Sequence, residues 1–435
     1  MARAWPQMLL PRSSATDRAS VGAVVASLAG QAAVVISGPA TARLLGPSGR
    51  GELALLVIVT TLGATLGSAG LPSAVAYTIA DRNATARTVL ALVGRACLLL
   101  GIVACALSAS AVLLLSAGRP SPAVTLDAFL VSLWVASTIT LGLALACLQG
   151  ERSFRLLNLV RPLGPALSAA LLLVLFLSFH HVDVSTVLAV MVGSSVAACG
   201  ATAIAAMLSL RKASVPVTVS RRSLIRYGLR SIVGASAPIE AFSIDQTIVA
   251  VVLSRQQLGL YVVGGAFNNL PSILVSGLGT IVLPRVAAEH DPVLRYRLMR
   301  KAALHTLVFV AGASLFAEVV VGFLLPFAFG DAFVAAIPVA RVLIVAGFFF
   351  GIRRMLVVFH QAIGRPGQTT MGELAAVVAL AIAAIALVPS FHLLGASFAL
   401  VFAAFVSDAY LLWALRDVSP SPTKDTEQGD AVENR

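Results

Sequence analysis

About a dozen apolar runs, each close to the length that crosses a lipid bilayer, dominate this chain of 435 residues. Spanning the hydrocarbon takes about 20 apolar residues in a helix. The composition agrees, with 58% hydrophobic and 11% charged residues and a mean hydropathy of +0.94. Nearly all of the chain is therefore committed to crossing a membrane, which predicts an all-α polytopic membrane protein.

The apolar runs between breaker residues predict twelve spans in two groups of six. The first group is 21–42, 53–80, 92–116, 128–148, 158–179 and 187–210. The second group is 231–254, 260–284, 302–327, 333–360, 369–390 and 395–415. An even number of spans places both termini on one side of the membrane. For the first run a signal peptide is the alternative, because Arg18 precedes it and residues 40–42 resemble a cleavage site.

The basic residues are distributed unevenly between the two sides. Of the 31 Lys and Arg residues, 23 fall on the side of the termini (including Arg161, near the start of span five), 4 others lie inside spans and 4 fall on the other side. Those on the other side are Arg43, Arg50, Arg119 and Arg255. Because cytoplasmic loops carry the excess of Lys and Arg, both termini are predicted to be cytoplasmic. The basic charge thus flanks membrane helices, and no nucleic-acid partner is expected.

Residues 211–230 are predicted to be a cytoplasmic linker between two lobes, because they hold six basic residues, Pro216 and no acid. Arg222, Arg226 and Arg230 recur at helical spacing, which predicts a short amphipathic helix on anionic lipid headgroups. A solvated basic loop is the alternative. The predicted organisation is a cytoplasmic tail over 1–20, an N-lobe over 21–210, the linker over 211–230, a C-lobe over 231–415 and a disordered cytoplasmic tail over 416–435.

Two short matches at one offset suggest that the lobes are repeats. Pro72 falls on Pro284 and Gln149 falls on Gln361, both at an offset of 212 in residue number (284 − 72 and 361 − 149). Six spans in each half keep such repeats parallel, related by an axis along the membrane normal. Two lobes of this kind are expected to surround a central cavity and to rock about it.

Polar side chains inside the spans are the candidates for a binding site, because an ionisable group at bilayer depth costs about 2.5 kcal/mol or more. In span seven, Ser243 shares one helical face with Glu240. The candidate substrate-binding residues are Gln31, Glu240, Ser243, Asn269, Ser272, Ser276, Arg341, Arg353 and Arg354. Hydroxyls and amides can instead hydrogen-bond across helix contacts. Arg353 and Arg354 can instead extend to the membrane interface.

Three further predictions concern structural residues. Asp245 lies roughly opposite Glu240 on its helix and is predicted to form an ion pair or a helix cap. Glu373 is near a cytoplasmic helix end and is expected to extend to the interface. Two G-x-x-x-G spacings indicate close helix packing. They are Gly63 with Gly67 and Gly347 with Gly351.

A series of motifs resembles a known family. The first is Arg43-Leu44-Leu45-Gly46-Pro47-Ser48-Gly49-Arg50-Gly51-Glu52, followed by an apolar helix that ends in Gly70-Leu71-Pro72. Next come Asp245, Leu258-Gly259-Leu260-Tyr261, Leu283-Pro284, Phe329-Gly330-Asp331-Ala332-Phe333 and Ala362-Ile363-Gly364-Arg365-Pro366. In order and spacing they resemble the polysaccharide-precursor, O-antigen type flippases of the multidrug/oligosaccharidyl-lipid/polysaccharide exporter superfamily.

The resemblance implies a flippase that moves a polyprenyl-pyrophosphate-linked oligosaccharide to the outer leaflet of a bacterial plasma membrane. The implied partners are that substrate, membrane lipids and other polysaccharide assembly proteins, and no cofactor is implied. The peptidoglycan-precursor branch usually has two further helices, which are not evident here. The drug-exporting branch commonly has an acid in the first helix, where this chain offers only Gln31 and hydroxyls.

Two other functions remain alternatives. A cation-coupled drug exporter would use Glu240 or Glu318 as its titrating group. A polysaccharide polymerase or ligase would need a sizeable outer loop, whereas the longest predicted outer connection is 117–127. No catalytic or metal-binding motif is found: the four cysteines lie inside apolar runs without zinc-ligand spacing and are predicted to be small core residues. The chain is therefore not expected to be an enzyme.

The predicted orientation can be tested by cysteine labelling. In a cysteine-free variant, Ser121→Cys should react with a membrane-impermeant reagent added to intact cells, whereas Ser214→Cys should react only after lysis. The charge asymmetry is the reason, since it places 117–127 outside and 211–230 inside. Equal labelling at both positions, or the reverse pattern, would contradict the orientation.

Overall fold

The structure, a computed structural model, describes residues 15–82, 85–116, 122–179, 181–209, 222, 224–229, 238–268, 275, 279, 282–283 and 285–416. These residues form α-helices joined by turns, and no strand occurs among them. The predicted all-α polytopic membrane fold is therefore confirmed. Outside the described residues lie the predictions for 1–14, for most of the linker and for the tail after 416, together with those for Asn269, Ser272 and Ser276.

The chain divides into two compact units. The first is Met1–Val262 together with Pro326–Phe333. Its helices are α1 (Ala15–Ser68), α2 (Leu71–Arg82), α3 (Ala86–Leu115), α4 (Pro122–Gly150), α5 (Phe154–Val160), α6 (Leu163–Ser178), α7 (Val184–Ser209), α8 (Pro238–Phe242), α9 (Ile244–Val252) and α10 (Arg255–Gly265). One core of this unit is formed by α1, α3, α4, α6 and α7 around residues such as Leu53, Val131 and Leu188, which are fully buried.

The second unit is Val263–Leu325 together with Val334–Arg435. It contains most of α11 (Pro292–Phe329), then α12 (Ile337–Ala362) and α13 (Pro366–Leu415), and a 3-10 turn, Asp331–Ala336, precedes α12. Its core includes Val310 of α11, Phe359 of α12 and Leu411 of α13. All three helices are long enough to cross a bilayer.

Eight helical segments of the described chain are long and apolar enough to span a membrane. Two of them hold two predicted spans each: Val25–Ser68 has 44 residues and Pro366–Leu415 has 50. Each is broken by one non-helical residue, Gly46 with φ 66° in α1 and His392 with φ 50° in α13. The Tyr410 hydroxyl donates to Gln368 Oε1 at 2.6 Å across the second break. The two parts of α13 are therefore antiparallel.

Three other predicted spans contain a helix break that the sequence did not predict. Span two loses its helical conformation at Ala69 and Gly70, with φ 47° and 66°, before α2 continues it. Span five is divided between α5 and α6, and span seven is broken at Ser243, with φ 48°. A single left-handed residue leaves the hydropathy of a run unchanged, which is why the apolar pattern could not reveal these breaks.

The four glycines at G-x-x-x-G spacing are close-packed, as predicted. A Cβ atom on Gly63 would overlap Ser108 Oγ, and one on Gly67 would overlap Ala104 Cβ. In the second unit, a Cβ atom on Gly347 would overlap the Asn268 carbonyl oxygen, and one on Gly351 would lie 2.9 Å from Val310. Small residues here allow helices to approach at backbone distance.

Two of the motifs that carry the family resemblance meet in the first unit. A Cβ atom on Gly51 would overlap the Arg255 carbonyl oxygen, and one on Gly259 would overlap the Pro47 carbonyl oxygen. The segment after Gly46 therefore packs on α10 through two glycines in a reciprocal backbone contact. Both positions need glycine because the atoms opposite are main-chain atoms, which cannot rotate away.

Two of the four arginines on the predicted outer side occupy helix ends. Arg43 Nε donates to the Ala328 carbonyl at 2.9 Å, and its Nη2 donates to the Phe327 carbonyl. Arg255 Nη2 donates to the Leu115 carbonyl at 3.3 Å. The last carbonyls of a helix lack partners within it. These two arginines therefore satisfy the ends of α11 and α3, which explains their departure from the charge rule.

The turns after α4 and α12 have the same backbone structure. After α4, N–H groups donate from Glu151 to Cys147, from Arg152 to Gln149 and from Ser153 to Leu148. After α12, they donate from Ile363 to Phe359, from Gly364 to Gln361 and from Arg365 to His360. Each residue number of the second turn exceeds that of the first by 212 (for example 364 − 152), the offset seen in the sequence. Both turns are Schellman caps, with Arg152 at φ 58° and Gly364 at φ 74°.

The reciprocal glycine contact predicts a strong asymmetry among glycine variants. Gly51→Ala and Gly259→Ala should each lower the denaturation temperature by more than about 5 °C, because the added methyl group forces two backbones apart. Gly30→Ala is the matched control, since a Cβ atom there has nothing within 4 Å and alanine favours helix. Thermal unfolding of the solubilised protein measures the difference. Similar temperatures for all three variants would refute the contact.

Candidate functional site

The three candidate arginines of α12 lie in different environments. Arg353 is buried, with 2% of its side chain exposed, Arg354 is half-buried and Arg341 is exposed. A Cβ atom on Gly322 of α11 would lie 3.8 Å from Arg341 Nη2, so that guanidinium lies against α11. Of the three, Arg341 and Arg354 have the more accessible side chains.

Arg353 is held in a buried charged cluster of the second unit, which we define as Arg353, Glu373 and Asp408. Arg353 Nη1 lies 3.3 Å from Glu373 Oε2, and its guanidinium lies 4.5 Å from the centre of the Phe350 ring. Asp408 is 4% exposed and interacts electrostatically with both other members. Its two carboxylate oxygens accept no hydrogen bond from the described residues. The cluster therefore joins α12 to both parts of α13.

Other polar contacts fix the same three helical segments. His360 Nε2 lies 3.1 Å from the Leu411 carbonyl oxygen, and His360 is completely buried. Together with the bond from Tyr410 to Gln368, this contact aligns α12 and the two parts of α13. Glu373 was expected to extend to the membrane interface, and that expectation is wrong. Its side chain instead meets the charge of Arg353 inside the unit.

The candidate residues of span seven lie on either side of a break. Glu240 is exposed on the short α8, and Ser243 is the left-handed residue between α8 and α9. Thr247 donates to the Ser243 carbonyl at 2.9 Å. The continuous helical face that the sequence predicted does not exist here, because it assumed an unbroken helix. Substrate binding by Glu240 and Ser243 stays a prediction.

The remaining polar residues have simpler surroundings. Gln31 is exposed on α1. On the second part of α1, Thr61 donates to Val57 at 2.8 Å and Ser68 donates to Thr65 at 3.0 Å. Such bonds to a helix's own carbonyls satisfy hydroxyls without any ligand, so this row of hydroxyls has a structural explanation.

Asp245 was predicted to form an ion pair or a helix cap, and its side chain instead accepts a hydrogen bond from a tyrosine. The Tyr261 hydroxyl donates to Asp245 Oδ2 at 3.1 Å, and Tyr261 is 1% exposed. The bond links α9 to α10 beside the reciprocal glycine contact. Asp245, Tyr261 and Gly259 of this motif series therefore all contribute to the packing of α10 on its neighbours.

The sequence did not place Asp408 beside Arg353. The two lie on different predicted spans, and the reversal at His392 that brings them together has no signature in the hydropathy. The sequence places the ionisable Asp408 inside span twelve, where such a group needs a partner. That partner could not be identified without knowing that the two parts of α13 are antiparallel. Among the described residues no group of three His, Cys, Asp or Glu side chains could hold a metal ion.

The family described as polysaccharide biosynthesis protein matches residues 40–338, more than half of the chain. The chain belongs to this family. The match includes the first-unit motifs around Gly51 and Gly259 and ends at the start of α12. No match was found among curated proteins.

Solved structures share the fold at low sequence identity. An inward-facing multidrug resistance MATE family transporter of the MOP superfamily has a TM-score of 0.68 and 16% identity, over 93% of this chain and 98% of that one. The lipid II flippase MurJ, in an inward closed conformation, has a TM-score of 0.71 and 14% identity, over 90% and 87%. The MATE multidrug transporter DinF-BH has a TM-score of 0.63 and 16% identity, over 95% and 96%. The chain therefore belongs to the polysaccharide biosynthesis protein family and shares its fold with transporters and a flippase of known structure.

The buried charged cluster predicts a stability effect for Arg353. Arg353→Met should destabilise the protein by about 3–5 kcal/mol, because it removes a buried cation that faces two buried acids. The triple variant R353M/E373Q/D408N should recover most of the loss, since it removes every charge of the cluster. Arg341→Met, which alters an exposed side chain, is the control. Chemical or thermal denaturation measures all three. A wild-type midpoint for Arg353→Met would show that the cluster does not stabilise the unit.

Proposed function

We propose that the protein moves a polyprenyl-pyrophosphate-linked oligosaccharide from the cytoplasmic to the outer leaflet of a bacterial plasma membrane, for cell-surface polysaccharide biosynthesis. The family match over residues 40–338 carries this proposal, because it relates the chain to polysaccharide synthesis. The fold shared with transporters and a flippase supports translocation rather than sugar transfer. On this proposal the protein changes no covalent bond and needs no cofactor.

The proposed mechanism is alternating access by two lobes, 21–210 and 231–415. The matching turns after α4 and α12 support a duplicated architecture. Repeats of this kind typically move against each other around a central site. The polar headgroup would pass through a central cavity while the prenyl chain stays in lipid, so the cost of moving charged groups through hydrocarbon is avoided.

The proposed binding residues combine arginines with polar residues that can hydrogen-bond to sugars. The guanidinium groups of Arg341 and Arg354 suit a pyrophosphate, because each can donate two parallel hydrogen bonds to it. Arg353 remains a candidate, although its contact with Glu373 gives it a structural task as well. The proposed sugar-binding residues are Gln31, Glu240, Ser243, Asn269, Ser272 and Ser276.

The proposed setting follows the charge distribution and the resemblance. Both termini are proposed to be cytoplasmic, because the loops on their side carry most of the basic residues. The partners proposed are the lipid-linked substrate, the surrounding lipids and other polysaccharide assembly proteins.

Transport by reconstituted vesicles tests the proposal. The wild-type protein should move a fluorescent lipid-linked oligosaccharide between leaflets. Arg341→Ala and Arg354→Ala should each reduce the rate about tenfold, since a charged hydrogen bond is lost. Lysine at either position should restore only part of the rate, because it keeps the charge without the planar fork. Arg95→Ala, an exposed arginine of α3, is the control.

Three outcomes would contradict the proposal. A double variant R341A/R354A that transports at the wild-type rate would remove these arginines from the site. Transport of an organic cation, with none of the oligosaccharide, would favour the drug exporter. Lengthening or transfer of the glycan in the same vesicles would indicate a polymerase or ligase instead.

A further inference from the structure

A pocket of about 550 Å³ opens in the first unit between α2 and the end of α4. Its polar lining comes from Ser73 and Tyr77 of α2, Gln149 of α4 and Arg152 of the following turn, and Phe154 adds an aromatic ring. None of the described residues that line it is acidic. Guanidinium, amide and hydroxyl groups without a carboxylate are suited to an anionic ligand that also carries hydroxyl groups.

Arg152 occupies a backbone position that favours glycine. Its φ is 58°, and the matching residue of the second repeat is Gly364, with φ 74°. A non-glycine residue in this region is strained, and such strain is concentrated at functional sites. The Schellman cap uses only the backbone of Arg152, and its guanidinium donates to no described residue. The side chain is therefore available for a ligand.

The residues around Arg152 have separate structural tasks. A Cβ atom on Gly150 would lie 2.7 Å from Ile79, so glycine is needed for α2 to approach α4. Glu151 is 8% exposed and accepts a hydrogen bond from the Ala86 N–H at 3.2 Å. The Glu151 carboxylate therefore interacts with the N-terminus of α3. Gln149 and Arg152 are the members of this motif whose side chains are exposed beside the pocket.

The basic linker segment borders the same pocket. Tyr227 stacks on Tyr77 with ring centres 4.9 Å apart. Leu224 is buried in the core of the first unit at 2% exposure. The neighbouring Arg222 and Arg226 are exposed. A docked segment that carries two exposed cations raises the positive potential on this side of the unit.

We propose that this pocket binds the phosphate or pyrophosphate group of the lipid-linked substrate, on the membrane side that carries the basic loops, before translocation. The inference rests on the proposed function and adds a second, peripheral site for the same substrate. Arg152 supplies the charge-assisted contact, Gln149 and Ser73 supply neutral hydrogen bonds, and Phe154 supplies an apolar wall.

Titration calorimetry on the purified full chain in detergent tests the pocket, with farnesyl pyrophosphate and inorganic pyrophosphate as probes. The wild-type protein should bind both. Arg152→Gly and Arg152→Gln should each weaken binding at least tenfold. Arg155→Gln removes the same charge from an exposed residue of α5 outside the pocket lining and should bind like wild type. Arg152→Gly should also raise the denaturation temperature by a few degrees, because glycine relieves the left-handed strain.

Weaker binding together with a higher denaturation temperature supports a ligand site, since a merely structural arginine would not give both. If the wild-type protein binds the probes and transports, and Arg152→Gly binds the probes with the same affinity, the proposed role of the pocket is wrong and the proposed function stays intact. A wild-type protein that binds neither probe and transports no oligosaccharide would overturn both. If phosphatidylglycerol micelles displace farnesyl pyrophosphate as well as inorganic pyrophosphate does, the pocket binds membrane lipid headgroups and the substrate inference is wrong.

Discussion

Hydrocarbon offers no hydrogen-bond partner, so every polar group of this chain at bilayer depth has to be satisfied from within the protein. The described breaks and helix ends follow this rule. Arg43 donates to the last carbonyls of α11, and Arg255 donates to the last carbonyl of α3. The turns after α4 and α12 satisfy their own backbone. The ion pair of the second unit obeys the same constraint, because Arg353 and Glu373 meet inside the unit.

The sequence predicted the features that depend on a pattern of many residues. It did not predict the features that depend on the backbone conformation of a single residue. Apolar run length predicted the membrane fold, and the spacing of glycines predicted four close contacts. Ser243 and His392 are each left-handed through a single φ angle. The hydrophobic pattern of the sequence carries no information about such an angle. The place of Asp408 in the cluster could not be predicted for the same reason, because the reversal at His392 brings this acid back to Arg353 and Glu373.

The motifs that suggested the family are largely architectural in this structure. Gly51 and Gly259 fix a backbone contact, and Tyr261 holds Asp245. These motif residues therefore serve helix packing, in a chain whose fold is shared with structures that are only 14–16% identical. Residues that discriminate between substrates are to be sought among accessible side chains that packing does not require, such as Arg341 and Arg152.

The order of Arg353, Glu373 and Asp408 along the chain also bears on how the C-terminal helices enter the membrane. Arg353 of α12 is synthesised first, Glu373 follows in the first part of α13, and Asp408 arrives last. Arg353 can thus be neutralised as soon as the first part of α13 enters the membrane. The final helix then brings its acid to a base that is already in place. Insertion of α12 and α13 is therefore expected to be coupled, because each charged segment lowers the cost of placing the next one in lipid.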